Sequence, residues 1–117
     1  MEIFNFFRKN NLSNKIEMAE REIKQIVQEK LNEKEKVKIL KYGAYDIEPN
    51  YLVIWVTVES DKIKDQLERD GILKKQLRDV LVKVRYPEKS IDKVKIGFES
   101  EETVNRESNG DWYLHFK

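Results

Sequence analysis

The sequence predicts an α+β fold, a two-layer sandwich in which helices pack on one face of a four-stranded, mainly antiparallel sheet. Apolar residues recur every three or four positions in two long stretches, which is typical of helices that bury one side. Short segments rich in β-branched and aromatic residues are typical of strands. The predicted order is αββαββ, with helices over 14–33 and 61–85 and strands over 36–42, 51–58, 92–99 and 111–117.

The composition excludes several classes of protein. A length of 117 residues predicts a single domain spanning 1–117. The 23 basic and 22 acidic residues nearly cancel, which excludes a uniformly basic nucleic-acid module. The lack of cysteine excludes disulfide scaffolds, thiolate catalysis and cysteine-ligated metal sites.

No apolar run approaches the roughly 20 residues that cross a bilayer. We therefore expect a cytoplasmic protein without an integral membrane segment, and the Lys-, Ile- and Asn-rich composition indicates a bacterium with an AT-rich genome.

The first half of the chain supplies one helix and two strands. Residues 1–12 are apolar and aromatic, and we expect them either to pack on the body of the domain or to be flexible, with a peripheral membrane contact as the alternative. The first helix begins at Asn14, which is spaced from Glu17 as in a capping box. After strand 36–42 and a loop, strand 51–58 is apolar on both faces, which predicts a central position in the sheet.

The second helical stretch contains two apolar stripes that do not share one phase. Ile63 and Leu67 belong to the first stripe, and Leu73 begins the second one, displaced around the helix. The break between the two stripes falls at Asp70–Gly71. The sequence therefore predicts a kink or two separate helices, over 61–70 and 72–85.

The last third of the chain predicts two strands joined by a short helical turn. Strand 92–99 alternates apolar and polar residues, Ser100 begins the helical turn, and Asn109–Gly110 forms a turn before strand 111–117. The residues of these two strands expected to face the helices are Val94, Ile96, Phe98, Trp112, Leu114 and Phe116.

Charge is segregated along the chain although the total is close to zero. Residues 74–89 contain six basic and two acidic residues, whereas residues 99–111 contain five acidic residues and one basic residue. This pattern predicts a molecule with a basic side and an acidic side.

The sheet face turned away from the helices is the predicted interaction surface. Aromatic and basic residues alternate there, and we expect no acid within its strands. Such a face favours binding to another protein or to a second copy of the chain, in an adaptor-type or immunity-type role. A second interpretation is single-stranded RNA binding by base stacking and phosphate contacts. A third is structural cover of Trp55 by the N-terminal segment or a second subunit. The predicted surface residues are Tyr51, Trp55, Lys93, Lys95, Tyr113, His115 and Lys117.

Motifs for catalysis are weak, so we expect a protein that is not an enzyme. His115 is the single histidine, and no metal-ligand spacing or glycine-rich phosphate loop occurs. We therefore predict no metal, no cofactor and no catalytic residue, and the sequence specifies no small-molecule ligand. An alternative enzymatic site would need five side chains to converge on a concave pocket. These five are Glu101, Glu102, Asn105, Arg106 and His115.

Overall fold

The computed structural model describes the backbone of residues 2–116 and the side chains of residues 12–116. Within these residues the chain forms an α+β fold with six helices and a three-stranded mixed sheet. No helix in this range is both long and apolar enough to cross a membrane. The elements are α1 (Glu2–Lys30), β1 (Lys38–Tyr42), a 3-10 turn (Pro49–Tyr51), β2 (Val53–Val58), α2 (Asp61–Glu68), α3 (Gly71–Lys83), α4 (Glu88–Ile91), β3 (Lys95–Ser100), α5 (Glu101–Ser108) and α6 (Trp112–His115).

The sheet has the order β1-β2-β3, so the predicted central position of the second strand is confirmed. β1 runs antiparallel to β2, but β3 runs parallel to it. The prediction of four strands, mainly antiparallel and in αββαββ order, is therefore wrong for the described residues. Parallel neighbours require a long crossover connection, and helices α2 to α4 provide one between β2 and β3.

The predicted fourth strand, 111–117, is instead the short helix α6, and Lys117 lies outside the described residues. Asp111 caps this helix by accepting the N–H of Leu114 at 3.0 Å. Trp112 and Phe116 are four residues apart and lie on the sheet face opposite to the predicted one, while Leu114 is exposed. The expectation that all helices pack on one face is therefore also wrong.

The main core lies between the sheet and helices α1 and α3. Ile54 and Val56 of β2 are fully buried there, as are Ile16 and Ile23 of α1 and Leu77 of α3. The predicted burial of one side of these helices is thus confirmed.

Helix α1 begins at Glu2, well before the predicted start at Asn14, so Asn14 and Glu17 lie within the helix rather than at its cap. Leu12 is buried, but the other side chains of the 1–12 segment lie outside the described residues, and their predicted packing with them.

The predicted break in the second helical stretch is confirmed as two helices. Ser60 caps α2 by accepting the N–H of Ile63, and Asp70 caps α3 by accepting the N–H of Leu73. The helical turn predicted at Ser100 is the two-turn helix α5, which Ser100 caps. The Asn109–Gly110 turn then joins α5 to α6, and both of its residues have positive φ.

Candidate functional site

The second face of the sheet is built from three rows of residues that the strand register aligns. Leu40, Trp55 and Gly97 form the middle row, where β1, β2 and β3 lie side by side. This face contains Glu99, which is almost fully buried, so the prediction of a face without acidic strand residues is wrong. The outer rows are Tyr42, Val53 and Lys95 at one end and Lys38, Thr57 and Glu99 at the other.

Trp55 lies between the backbone of β3 and the ring of Phe116. A Cβ atom at Gly97 would lie 2.6 Å from Cζ3 of Trp55, so the indole packs directly over this glycine. The rings of Trp55 and Phe116 stack with centroids 4.8 Å apart and an interplanar angle of 19°. The Tyr42 hydroxyl accepts the indole N–H at 3.0 Å. The cover of Trp55 thus comes from the end of α6, where the sequence suggested the N-terminal segment or a second subunit.

An apolar groove runs between strand β1 and helix α6. Its volume is about 420 Å³. Leu40, Tyr42 and Tyr113 remain 37%, 41% and 77% exposed beside it. We call this region the β1–α6 surface, and it is lined by Leu40, Lys41, Tyr42, Trp112, Tyr113 and Phe116.

The β1–α6 surface adjoins an open sheet edge. β1 is an edge strand, and no backbone hydrogen bond to its outer side occurs within residues 2–116. The Lys41 ammonium lies 2.6 Å from the Glu20 carboxylate of α1, and this hydrogen bond raises the pKa of Lys41. Lys41 is thereby held against α1, and the backbone of β1 stays available for a further strand.

A buried polar cluster fastens α6 to the end of β3. His115 Nε2 lies 2.8 Å from Glu99 Oε2, and the Lys64 ammonium donates to the other carboxylate oxygen at 2.9 Å. Ser108 Oγ lies 3.1 Å from Nδ1 of His115. Burial pushes the pKa of Glu99 upward, but the hydrogen bonds from His115 and Lys64 outweigh it and hold the pKa below 4.5. Glu99 therefore stays ionised and anchors both partners.

A second polar cluster, centred on the Asp61 carboxylate, lies at the amino ends of α2 and α5. Asp61 accepts hydrogen bonds from the hydroxyls of Ser100 and Thr103 and from the Arg106 guanidinium. These hydrogen bonds hold the pKa of Asp61 well below its usual range. Glu102 in turn accepts the backbone N–H of Asp61 at 2.8 Å. α2 and α5 begin at the carboxyl ends of β2 and β3. Backbone N–H groups at these two helix starts thus donate hydrogen bonds to side chains of this chain.

The five residues of the alternative enzymatic site do not converge. Glu102 and Arg106 join the Asp61 cluster, whereas His115 joins Glu99, and Asn105 is exposed. Glu101 lines a separate shallow cavity with Lys38 and Trp112. No group of three or more His, Asp or Glu side chains in the described part of the chain is placed to hold a metal ion.

The predicted interaction residues are scattered by the structure. Tyr51 is exposed in the 3-10 turn, and Lys93 is exposed in the turn before β3. Lys95 is exposed on the sheet, and its ammonium lies 5.3 Å from the Trp55 ring centroid. His115 points inward to Glu99, Tyr113 borders the groove, and Lys117 lies outside the described residues.

The sequence assigned Tyr113 to the interaction surface but did not identify the other residues that line the groove. The alternation of Lys38, Leu40 and Tyr42 indicated that the latter two share a sheet face, but only the pairing with β2 shows which face. For α6, the signal was Asp111 at a capping position, followed by Trp112 and Phe116 at helical spacing.

Comparison with protein-family models, with curated proteins and with solved structures finds no match for this chain. The geometry of the described residues is therefore the basis for inferring its function.

Proposed function

We propose that this protein is a non-catalytic interaction module, of the adaptor or immunity type, that binds another protein chain through the β1–α6 surface. The observation that supports this is an apolar groove beside a strand edge that has no backbone partner within residues 2–116. Soluble proteins usually keep strand edges short, charged or covered, and large apolar patches mark sites of association. Here Leu40, Tyr42 and Tyr113 expose apolar surface next to such an edge.

Contacts within the chain hold aromatic side chains of the groove in place without a partner. Tyr42 is fixed by its hydrogen bond to Trp55, and Phe116 is fixed by stacking on the same ring. Rigid aromatic side chains bury large areas on binding and lose little conformational entropy. A preorganised aromatic surface of this kind suits a protein partner.

The RNA-binding and enzyme hypotheses have less support in the geometry. RNA binding through Trp55 needs a free aromatic face for base stacking, whereas Gly97 and Phe116 cover both sides of this ring. An enzyme near Glu101, Glu102 and His115 needs free polar groups aimed at a substrate. Glu102 and His115 are instead hydrogen-bonded within the chain.

Selection from random peptides tests the proposal for a partner of any sequence. A phage library of random peptides of about twelve residues, long enough to cover an edge strand, is selected on the immobilised wild-type protein. The enriched peptides are synthesised, and their Kd values are measured by fluorescence anisotropy. We expect Leu40→Lys and Tyr113→Ala each to weaken binding at least about tenfold, because each removes apolar contact area.

The matched control is Ile72→Lys, which places the same charge on another exposed apolar residue, 72% accessible on α3. We expect this variant to bind the selected peptides as the wild type does. The proposal is overturned if no peptide is enriched and the wild type does not bind a second copy of itself, or if the enriched peptides bind Leu40→Lys as tightly as the wild-type protein.

A further inference from the structure

We infer that a second copy of this chain occupies the β1–α6 surface, by antiparallel pairing of β1 with β1 about a two-fold axis at Leu40. The inference rests on the proposed function, because it names the partner of the same surface. The pairing would join two three-stranded sheets into one continuous sheet. It would also supply the backbone partners that the outer side of β1 lacks within residues 2–116.

The sequence of β1 is self-complementary in this register. Side chains of an antiparallel pair share a face only when the residue numbers differ by an even count, so the axis must pass through a residue. With the axis at Leu40, Leu40 lies opposite its own copy and Lys38 lies opposite Tyr42. On the other face Ile39 lies opposite Lys41. All five residues of β1 are paired, and no two like charges are opposed.

The two neighbouring registers are worse for identifiable reasons. An axis at Lys41 places two ammonium groups directly opposite each other, which is destabilising in a strand pair. It also brings Gly43, with φ of 102°, opposite Ile39. An axis at Ile39 leaves Lys41 opposite residue 37 and Tyr42 opposite residue 36, both of which precede the strand. Of the three registers, the one centred on Leu40 therefore pairs the largest number of β1 residues.

The same register unites the apolar surfaces of the two copies. A two-fold axis through Leu40 keeps the corresponding sheet faces on the same side, so both α6 helices cover one face of the joined sheet. The exposed Leu40 side chains meet at the centre. Each Lys38 ammonium lies beside a tyrosine ring, a favourable cation–π arrangement. Isologous contacts of this kind are the commonest route to closed dimers.

The absence of cysteine allows the register to be mapped with single thiols. Residues directly opposite in an antiparallel pair have Cβ atoms about 4.5–5.5 Å apart, close enough for a disulfide after small movements. We expect Leu40→Cys to form a covalent dimer under mild oxidation. We expect Lys38→Cys and Tyr42→Cys to cross-link efficiently only when the two variants are mixed. Ile72→Cys, an exposed position on α3, is the control and should stay monomeric.

Sedimentation equilibrium of the unmodified protein gives the second measurement. We expect a concentration-dependent dimer, and we expect Leu40→Lys to raise its Kd at least about tenfold through opposed charges. The inference is overturned if the wild type remains a monomer at high concentration. It is equally overturned if a dimer forms but Leu40→Cys cross-links no better than Ile72→Cys. Either result leaves the peptide selection to decide whether the surface binds a different protein, so the two proposals fail separately.

Discussion

The two faces of the sheet are covered in different ways. On one face α1 and α3 bury aliphatic side chains completely, with Ile54 and Val56 fully inaccessible. On the other face Trp55 and Phe116 stack under a helix of only four residues, and parts of the surface stay exposed. A helix this short is not stable by itself, so α6 depends on its side-chain contacts with the sheet.

This difference separates the face that contributes most to stability from the face that we propose for recognition. The aliphatic face contributes most of the apolar burial, which is the dominant favourable term in folding. The aromatic face is fastened at a few points, among them the His115–Glu99 contact and the Trp55–Phe116 stack. The β1–α6 surface at the edge of this face can therefore remain apolar and exposed, because the rest of the fold stabilises the sheet.

The largest expected effect is on the aliphatic face. Ile54→Ala removes a fully buried side chain between β2 and the helices, and we expect it to lower the free energy of unfolding by about 2–5 kcal/mol. Urea denaturation followed by circular dichroism measures this loss. Ile72→Ala on the exposed side of α3 is the control, and we expect little change. A small effect of Ile54→Ala would contradict the assignment of stability to this face.

A smaller effect is expected where β3 meets Trp55. The Cβ atom of Gly97→Ala would lie 2.6 Å from Cζ3 of the indole, so the ring must move. We expect a loss of about 1–3 kcal/mol in the free energy of unfolding, with a red shift of tryptophan fluorescence as Phe116 loses its stacking partner. An unchanged spectrum at wild-type stability would show that Trp55 does not pack over this glycine.

The smallest expected effect is the acid sensitivity of the α6 attachment. The pKa of Glu99 is lower in the folded protein than its ordinary 4.5. Its stabilising contribution is therefore complete above pH 4.5 and is lost as the pH falls through the lower folded value. Glu99→Gln should lose less stability on acidification than the wild type does, as urea midpoints measured across this range would reveal.

The matched control for the acid series is Glu107→Gln, which replaces an exposed carboxylate on α5. We expect its stability to fall with pH as that of the wild type does. If Glu99→Gln also follows the wild-type curve, the carboxylate does not anchor α6 in its ionised form.

Sequence patterns predicted those parts of the fold in which one period dominates. Strand 51–58 was dense in β-branched and aromatic residues, and it forms the central strand Val53–Val58. The phase change at Asp70–Gly71 predicted a kink or two helices, and two helices form, with Asp70 capping the second one. Burial of one helix face leaves a periodic signal whichever element packs against it.

The C-terminal error arose because residues 112–116 fit two periods. Trp112, Leu114 and Phe116 alternate as in a strand, yet Trp112, His115 and Phe116 also share one helix face. The parallel pairing of β3 was equally hidden, since strand direction depends on the crossover and leaves no local pattern. The candidate site depends both on the helix α6 and on the direction of β3. The residues predicted for it therefore lie only partly together in the structure.

The parallel pairing of β2 with β3 also bears on the order in which the strands pair during folding. β1 and β2 are joined by loop 43–52, which contains the 3-10 turn, whereas β3 reaches β2 only after the longer connection through α2, α3 and α4. Closing the longer loop costs more chain entropy, so the hairpin forms more readily than the parallel pair. Gly97 and Glu99, which support Trp55 and hold α6, both belong to β3. We therefore expect the aromatic face to form late in folding, and we expect substitutions there to accelerate unfolding more than they slow folding.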